Sequence, residues 1–242
     1  MSTQDMTITV DGASMPCYLA RPDGEAPRPA VIVFQEIFGV NAEVKRIADL
    51  FATAGYVALA PNYYYRTHPN LNEPYTSEGL QAGFAAAGRV THANLRADTS
   101  AAIAYLNEQS FVKQDAIATV GFCFGGTVAF VTATLDGLRA AIPFYGGQIA
   151  QPLLDGEPEA LAELAAIKVP LLLFFGGKDD YISAEHVAKI ESALSAAGKT
   201  FEIVSYPNVG HAFFRDSSAK MDEHEIGDAW SRVKRFLEHH LA

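Results

Sequence analysis

An α/β fold, with a mostly parallel central sheet and helices on both faces, is what this sequence predicts, and three observations carry that prediction. Short apolar runs such as Pro29-Ala30-Val31-Ile32-Val33-Phe34 and Val169-Pro170-Leu171-Leu172-Leu173-Phe174-Phe175 read as buried strands. They alternate with longer stretches whose apolar residues recur at helical spacing, the pattern of strand–helix–strand units. Ahead of this alternation, Asp11-Gly12 separates two strand-like runs, residues 7–10 and 15–21, and marks a short N-terminal antiparallel hairpin.

The elements follow in order. After the strand at residues 29–34, Asn41 can cap a helix with Ile47, Leu50, Phe51 and Ala54 on one face and Gly55 at its end. Residues 56–60 form the next strand, closed by Pro61. Residues 63–91 are irregular, with three consecutive tyrosines followed by Pro and Asn. They are either a small lid over a pocket or an ordinary surface excursion, and the lid is favoured. Residues 94–109 are helical, 116–120 a strand, 126–135 a small-residue helix, and 140–145 a strand ending at Gly146-Gly147. Past the strand at 169–175, Ser183 caps a helix with Val187, Ile190 and Leu194 on one face, ending at Gly198. Residues 201–206 are the last strand. Ile226, Trp230, Val233 and Leu237 then repeat at helical spacing, before a tail that holds His239 and His240. The sequence has no internal repeat, low-complexity tract or interdomain linker. A chain of 242 residues that is 49% hydrophobic can bury one substantial core, so residues 1–242 are expected to form one domain.

Gly121-Phe122-Cys123-Phe124-Gly125 lies between the strand at 116–120 and the following helix. A strand, a Gly-x-nucleophile-x-Gly turn and a helix make the nucleophile elbow of α/β-hydrolases, here with cysteine where serine is usual. The glycines are required because the turn is too tight for a Cβ on the neighbouring backbone. A lone cysteine is most often an inert buried hydrophobe. This one, however, is followed by an acid and a base in the order the fold demands, Cys123, Asp179, His211, each at the carboxyl end of a strand. For the acid, Asp179 and Asp180 compete. Asp179, directly after Gly176-Gly177-Lys178, is favoured, and Asp180 reads as a turn residue or cap helper. For the base, His186 and His224 fall in polar helical contexts, and His68 and His92 in a weakly periodic segment where solvation is the simpler reading. His211 alone follows a strand.

The loop Gln35-Glu36-Ile37-Phe38-Gly39-Val40-Asn41, after the first central strand, should supply one oxyanion-hole N–H, and the residue after the nucleophile the other. These are Ile37 and Phe124. Glu36 is either a surface glutamate opening the loop or a functional carboxylate beside the oxyanion site. Tyr145, closing the strand at 140–145, is a candidate for substrate contact.

With these motifs in place the chain resembles the dienelactone hydrolase (carboxymethylenebutenolidase) family. The resemblance rests on residues 35–41, Gly121-Phe122-Cys123-Phe124-Gly125-Gly126, Gly176-Gly177-Lys178-Asp179 and Gly210-His211-Ala212-Phe213, which together span most of the chain. It implies a single-domain α/β-hydrolase acting on an unsaturated lactone through a Cys-Asp-His triad. It also implies that Glu36 holds the resting thiol neutral and takes its proton when substrate arrives. Arg215 matches a family arginine that binds the substrate carboxylate, and Arg66 and Arg89 are candidates for a second one. The family's serine after the histidine is Ala212 here.

Composition narrows the remaining classes. A net charge of −10 disfavours nucleic acid and anionic membranes as partners, and no run approaches the ~20 apolar residues a membrane span needs. Two cysteines make no disulfide framework, and Cys17, in a strand-like stretch, reads as a packing residue. No N-terminal signal is visible, so a reducing cytoplasm is the expected compartment. No metal or organic cofactor is expected, because no Cys/His cluster has zinc spacing and the elbow accounts for the glycines. The expected partner is a small-molecule ester or lactone, bound by a monomer or small homo-oligomer. The alternatives are a carboxylesterase, thioesterase or phosphotriesterase on the same triad, or a non-catalytic redox sensor using Cys123.

Overall fold

The computed structural model describes residues 1–152, 158–215 and 223–242. The chain runs through β1 (Ser2–Val10), β2 (Ala13–Arg21), β3 (Arg28–Phe34), α1 (Ala42–Thr53), β4 (Val57–Pro61), α2 (Ser77–Ala87), α3 (His92–Asn107), β5 (Val112–Phe122) and α4 (Phe124–Thr132). It continues through β6 (Ala140–Phe144), a 3-10 helix at Ala160–Ala166, β7 (Leu171–Gly176), α5 (Ala184–Ala196), β8 (Phe201–Tyr206) and α6 (His224–His240). The strands form one sheet in the order β1-β2-β4-β3-β5-β6-β7-β8. β1 and β2 pair antiparallel, β2 joins β4 antiparallel, and every later pairing is parallel. The predicted class is therefore the observed one, an α/β-hydrolase fold with an antiparallel N-terminal hairpin.

The central strands are apolar and buried along β4, β6 and β7 and over the later residues of β3 and β5, where both faces are covered. α1 and α6 share one face, where Phe51 and Trp230 meet edge to face at 5.1 Å, while α3 and α4 pack together against the other. Edge strand β1 instead alternates between exposed and buried toward its end, as a half-solvated strand should. Cys17 of β2 is only 4% exposed, and burial pushes its thiol up to about 12, so it behaves as an inert packing residue.

Several expectations need correcting. The stretch at 63–91 is not wholly irregular: Thr76 accepts a hydrogen bond from the Gly79 N–H and opens α2. Tyr63, Tyr64 and Tyr65 are buried, not part of a surface excursion. His92 is also buried, at the first turn of α3 and 3.4 Å from Glu163 on the 3-10 helix, because Thr91 caps α3 two residues earlier than its apolar pattern indicates. His239 and His240 are the last turn of α6 and not a tail. On α1, Ile47 and Phe51 face the core, but Ala54 lies past the helix end and is exposed.

Candidate active site

Three strand ends build the site. Cys123 stands between β5 and α4 with φ 56° and ψ −114°, a backbone conformation that a side chain disfavours. Packing over-determines it. A Cβ on Gly121 would lie 1.9 Å from the Gly125 carbonyl oxygen, and one on Gly125 would lie 2.4 Å from that of Phe34. The Cys123 N–H donates to the Phe144 carbonyl at 3.1 Å, tying the turn to β6. α4 begins at Phe124, two residues earlier than its small-residue run indicates, so the Phe124 N–H has no acceptor within the helix.

Asp179 and His211 meet from the ends of β7 and β8. His211 Nδ1 lies 2.8 Å from Asp179 Oδ2, while Asp179 Oδ1 accepts from the N–H groups of Tyr181 at 2.8 Å and Ile182 at 3.0 Å. Both oxygens of this carboxylate are engaged, and Asp180 is turned to solvent. The Asp179 carboxyl is buried, which favours its neutral form, yet His211 and the two backbone donors hold it below the usual carboxylate range. Burial likewise opposes charge on His211, but the hydrogen bonds and charges of Asp179 and Cys123 win and push its pKa up. The imidazole is flanked edge to face by Tyr145 at 5.1 Å and Tyr181 at 5.2 Å.

Cys123 and His211 open into a cleft of about 560 Å³, whose lining includes Ile37, Phe38, Ala212, Arg215 and, from the 63–91 segment, Tyr75, Leu80 and Phe84. Gly83 brings α2 within backbone contact of the loop after β3: a Cβ there would lie 2.6 Å from the Ile37 carbonyl oxygen. Glu36 is no surface residue. Its side chain is 5% exposed, one oxygen sits 3.0 Å from Arg215 Nη2, and the other is buried without a hydrogen-bond partner. The Arg215 guanidinium also lies 3.7 Å from the centre of the Tyr75 ring. Burial and the Glu36 charge together push the Tyr75 hydroxyl far up in pKa.

Three sequence candidates for substrate contact lie elsewhere. Tyr145 is 1% exposed and stacks beneath His211 among Phe122, Phe144 and Phe213, so it supports the imidazole and does not line the cleft. Arg66 pairs with buried Asp98 at 2.7 Å and covers the Tyr65 ring, also away from the cleft. Arg89 is exposed and likewise absent from the lining. Sequence reasoning missed Tyr75, Leu80, Phe84 and Tyr181. Only Tyr181 carried a local signal, two residues past the expected acid. Among the described residues, no cluster of three His, Cys, Asp or Glu side chains could hold a metal ion, and no helix is long and apolar enough to cross a membrane.

The chain is similar to several known proteins. The model of the dienelactone hydrolase family matches residues 15–241. A Synechocystis protein named "Putative carboxymethylenebutenolidase" is 34% identical over 241 residues, covering 100% of this chain and 98% of its own. A Bradyrhizobium protein named "Probable 2-oxo-3-(5-oxofuran-2-ylidene)propanoate lactonase" is 32% identical, covering 97% of this chain and 93% of its own. A crystal structure described as a "Putative Dienelactone Hydrolase" from Klebsiella pneumoniae superposes with a TM-score of 0.87 at 30% identity, over 98% of both chains. With a family match across nearly its whole length and a strand-end Cys, Asp and His gathered at one cleft, the chain belongs to the dienelactone hydrolase family of hydrolases.

Proposed function

We propose that this protein hydrolyses a lactone or carboxylic ester through a thioester on Cys123. The observation that carries the reading is a cysteine held at positive φ on the elbow, opening into the same cleft as a histidine already oriented by a buried aspartate. In the proposed cycle the Cys123 sulfur attacks the acyl carbon, its proton passing to Glu36 and returning from there when the sulfur is released at the end, and the carbonyl oxygen becomes an oxyanion. The N–H groups of Ile37 and Phe124 receive that charge from the loop after β3 and the start of α4. The acyl C–O bond then breaks, the leaving oxygen takes a proton from the His211 imidazolium, and a thioester remains. Having given up that proton, the neutral imidazole is a competent base. It takes a proton from water, the hydroxide adds to the thioester, and the C–S bond breaks to release the acid.

Glu36 is the proposed control on the thiol. A carboxylate near a thiol opposes its ionisation, and the unpartnered buried oxygen of Glu36 is an available proton acceptor. Residues 63–91 are the proposed lid, supported by the place of Tyr75, Leu80 and Phe84 in the cleft wall.

Cys123→Ala tests the reading. Ester turnover should fall by about four orders of magnitude or more with the fold intact by circular dichroism, and the acyl adduct seen by mass spectrometry after rapid quenching should vanish. Turnover within about tenfold of wild type would overturn the assignment.

A further inference from the structure

Gln148 lines the same cleft as Cys123 and His211, from the turn that follows β6. A chain of hydrogen bonds ties it to the nucleophile. The Thr127 N–H of α4 donates to the Cys123 carbonyl at 3.3 Å, and the Thr127 hydroxyl oxygen accepts from the Gln148 N–H at 3.2 Å. The same hydroxyl donates its one proton to Gln148 Oε1 at 3.1 Å. Turning the amide over would leave that proton without an acceptor among the described residues, so the network sets Oε1 on Thr127. The Gln148 carbonyl accepts from the Ala160 N–H at 3.2 Å. Packing holds the arrangement: Thr127 is buried, and a Cβ on Gly146 would lie 2.9 Å from the Thr127 nitrogen. The backbone N–H, the carbonyl and Oε1 of Gln148 are thus engaged within the protein. Nε2, with two protons to give, has no acceptor among the described residues.

Topology says which half of a substrate this donor meets. In the sheet, β6 lies between β5 and β7, so the turn after it is on the Asp179 and His211 side of Cys123. The Ile37 loop after β3 lies on the opposite side. The oxyanion belongs toward Ile37 and the leaving oxygen toward the His211 proton, so the leaving group extends on the Gln148 side.

Resting on the hydrolase reading above, we propose that Gln148 is a specificity-determining residue whose Nε2 donates to a neutral ether or carbonyl oxygen in the alcohol half of the ester or lactone, with Thr127 as its positioning residue. The probes are meta- and para-(2-methoxyethyl)phenyl acetate, each set against its butylphenyl isostere, so that the ethylene spacer insulates the reacting bond from the ether. The matching arylpropan-2-ones, with CH2 in place of the ester oxygen, cannot be hydrolysed and report binding. In Gln148→Leu the ether-to-butyl ratio of kcat/KM should fall about five- to tenfold for at least one isomer, through KM, and the ether ketone should lose affinity relative to the butyl ketone by a similar factor. Gln148→Glu keeps the shape and the Thr127 bond but has no proton to give at neutral pH. It should act the same way, so a folding failure in one variant leaves the other decisive. Thr127→Val should lower the ratio about threefold and Thr127→Ser should restore it, whereas a purely structural Thr127 would affect both esters alike. An unchanged ratio in a folded Gln148 variant, for both isomers and in both turnover and ketone binding, overturns the proposal. A fall carried by kcat alone, with ketone binding unchanged, overturns it too. If no ester turns over while the ketone ratio still falls in the Gln148 variants, the hydrolase reading fails and the donor stands. If no ester turns over and the ketone ratio is unchanged, both are overturned.

Discussion

The two walls of the cleft are built by different means. On one wall, Cys123, Asp179 and His211 sit past the ends of β5, β7 and β8; backbone contacts fix Cys123 (the elbow glycines and the Phe144 carbonyl) and Asp179 (two N–H donors), and Asp179 in turn holds His211. On the other wall, Tyr75, Leu80 and Phe84 come from a segment inserted between β4 and α3, where the Tyr75 ring lies against the Arg215 guanidinium and Gly83 brings α2 against the Ile37 carbonyl. The difference teaches that the proposed reacting groups lie on sheet-anchored turns, and that the proposed apolar discrimination falls to a wall carried by a different segment.

If that division is right, substitutions of the reacting groups should abolish rate, and those on the inserted wall should mainly redistribute it. After Cys123→Ala, the largest effect is expected for Asp179→Asn, a loss in kcat of about a thousandfold or more, because His211 loses its orienting acceptor. The exposed neighbour Asp180→Asn should stay within about threefold of wild type. The same Asp179→Asn change should lower the His211 pKa, since the hydrogen bond and charge of Asp179 favour the imidazolium; an NMR titration of the imidazole proton reads it. A reversed pair of results would move the acid by one residue.

Glu36→Ala crosses between the walls. It removes repulsion at the thiol and deletes the proposed proton acceptor, so iodoacetamide alkylation of Cys123 in the free enzyme should speed up while kcat falls by about ten- to a hundredfold. If both rates are unchanged, Glu36 serves only to hold Arg215. Gly83→Ala probes the seam where α2 meets the oxyanion loop. The new Cβ would fall 2.6 Å from the Ile37 carbonyl oxygen, and relief of that clash should shift the Ile37 N–H and cost about tenfold in kcat with little change in KM. A loss seen only in KM would place the effect on binding and leave Ile37 out of the oxyanion hole. Smallest of all, Phe84→Ala should raise KM for an aryl ester by about three- to tenfold at unchanged kcat, as expected when apolar contact outside the reacting centre is lost. A matching fall in kcat would show that α2 also takes part in positioning the reacting groups.

The sequence by itself determined the strand order of the reacting groups and the turns that carry them. Gly121-Phe122-Cys123-Phe124-Gly125 and Gly176-Gly177-Lys178-Asp179 each close a buried strand end and Gly210-His211 follows a half-exposed strand, and a turn so placed leaves its chemistry in a short contiguous stretch. Helix starts with a capping side chain, Asn41 and Ser183, were legible for the same reason: the interaction closes within three residues. Only the tertiary structure showed which of Asp179 and Asp180 His211 reaches, from the loop after β8, 32 residues later. It also turned Tyr145 and Arg66 away from the cleft, buried His92 against Glu163, and brought Tyr75 and Phe84 to the mouth. Each of those outcomes depends on contacts between residues far apart in the chain. No local pattern specifies them, because a side chain's partner is set by the packing of whole elements and not by its neighbours in sequence.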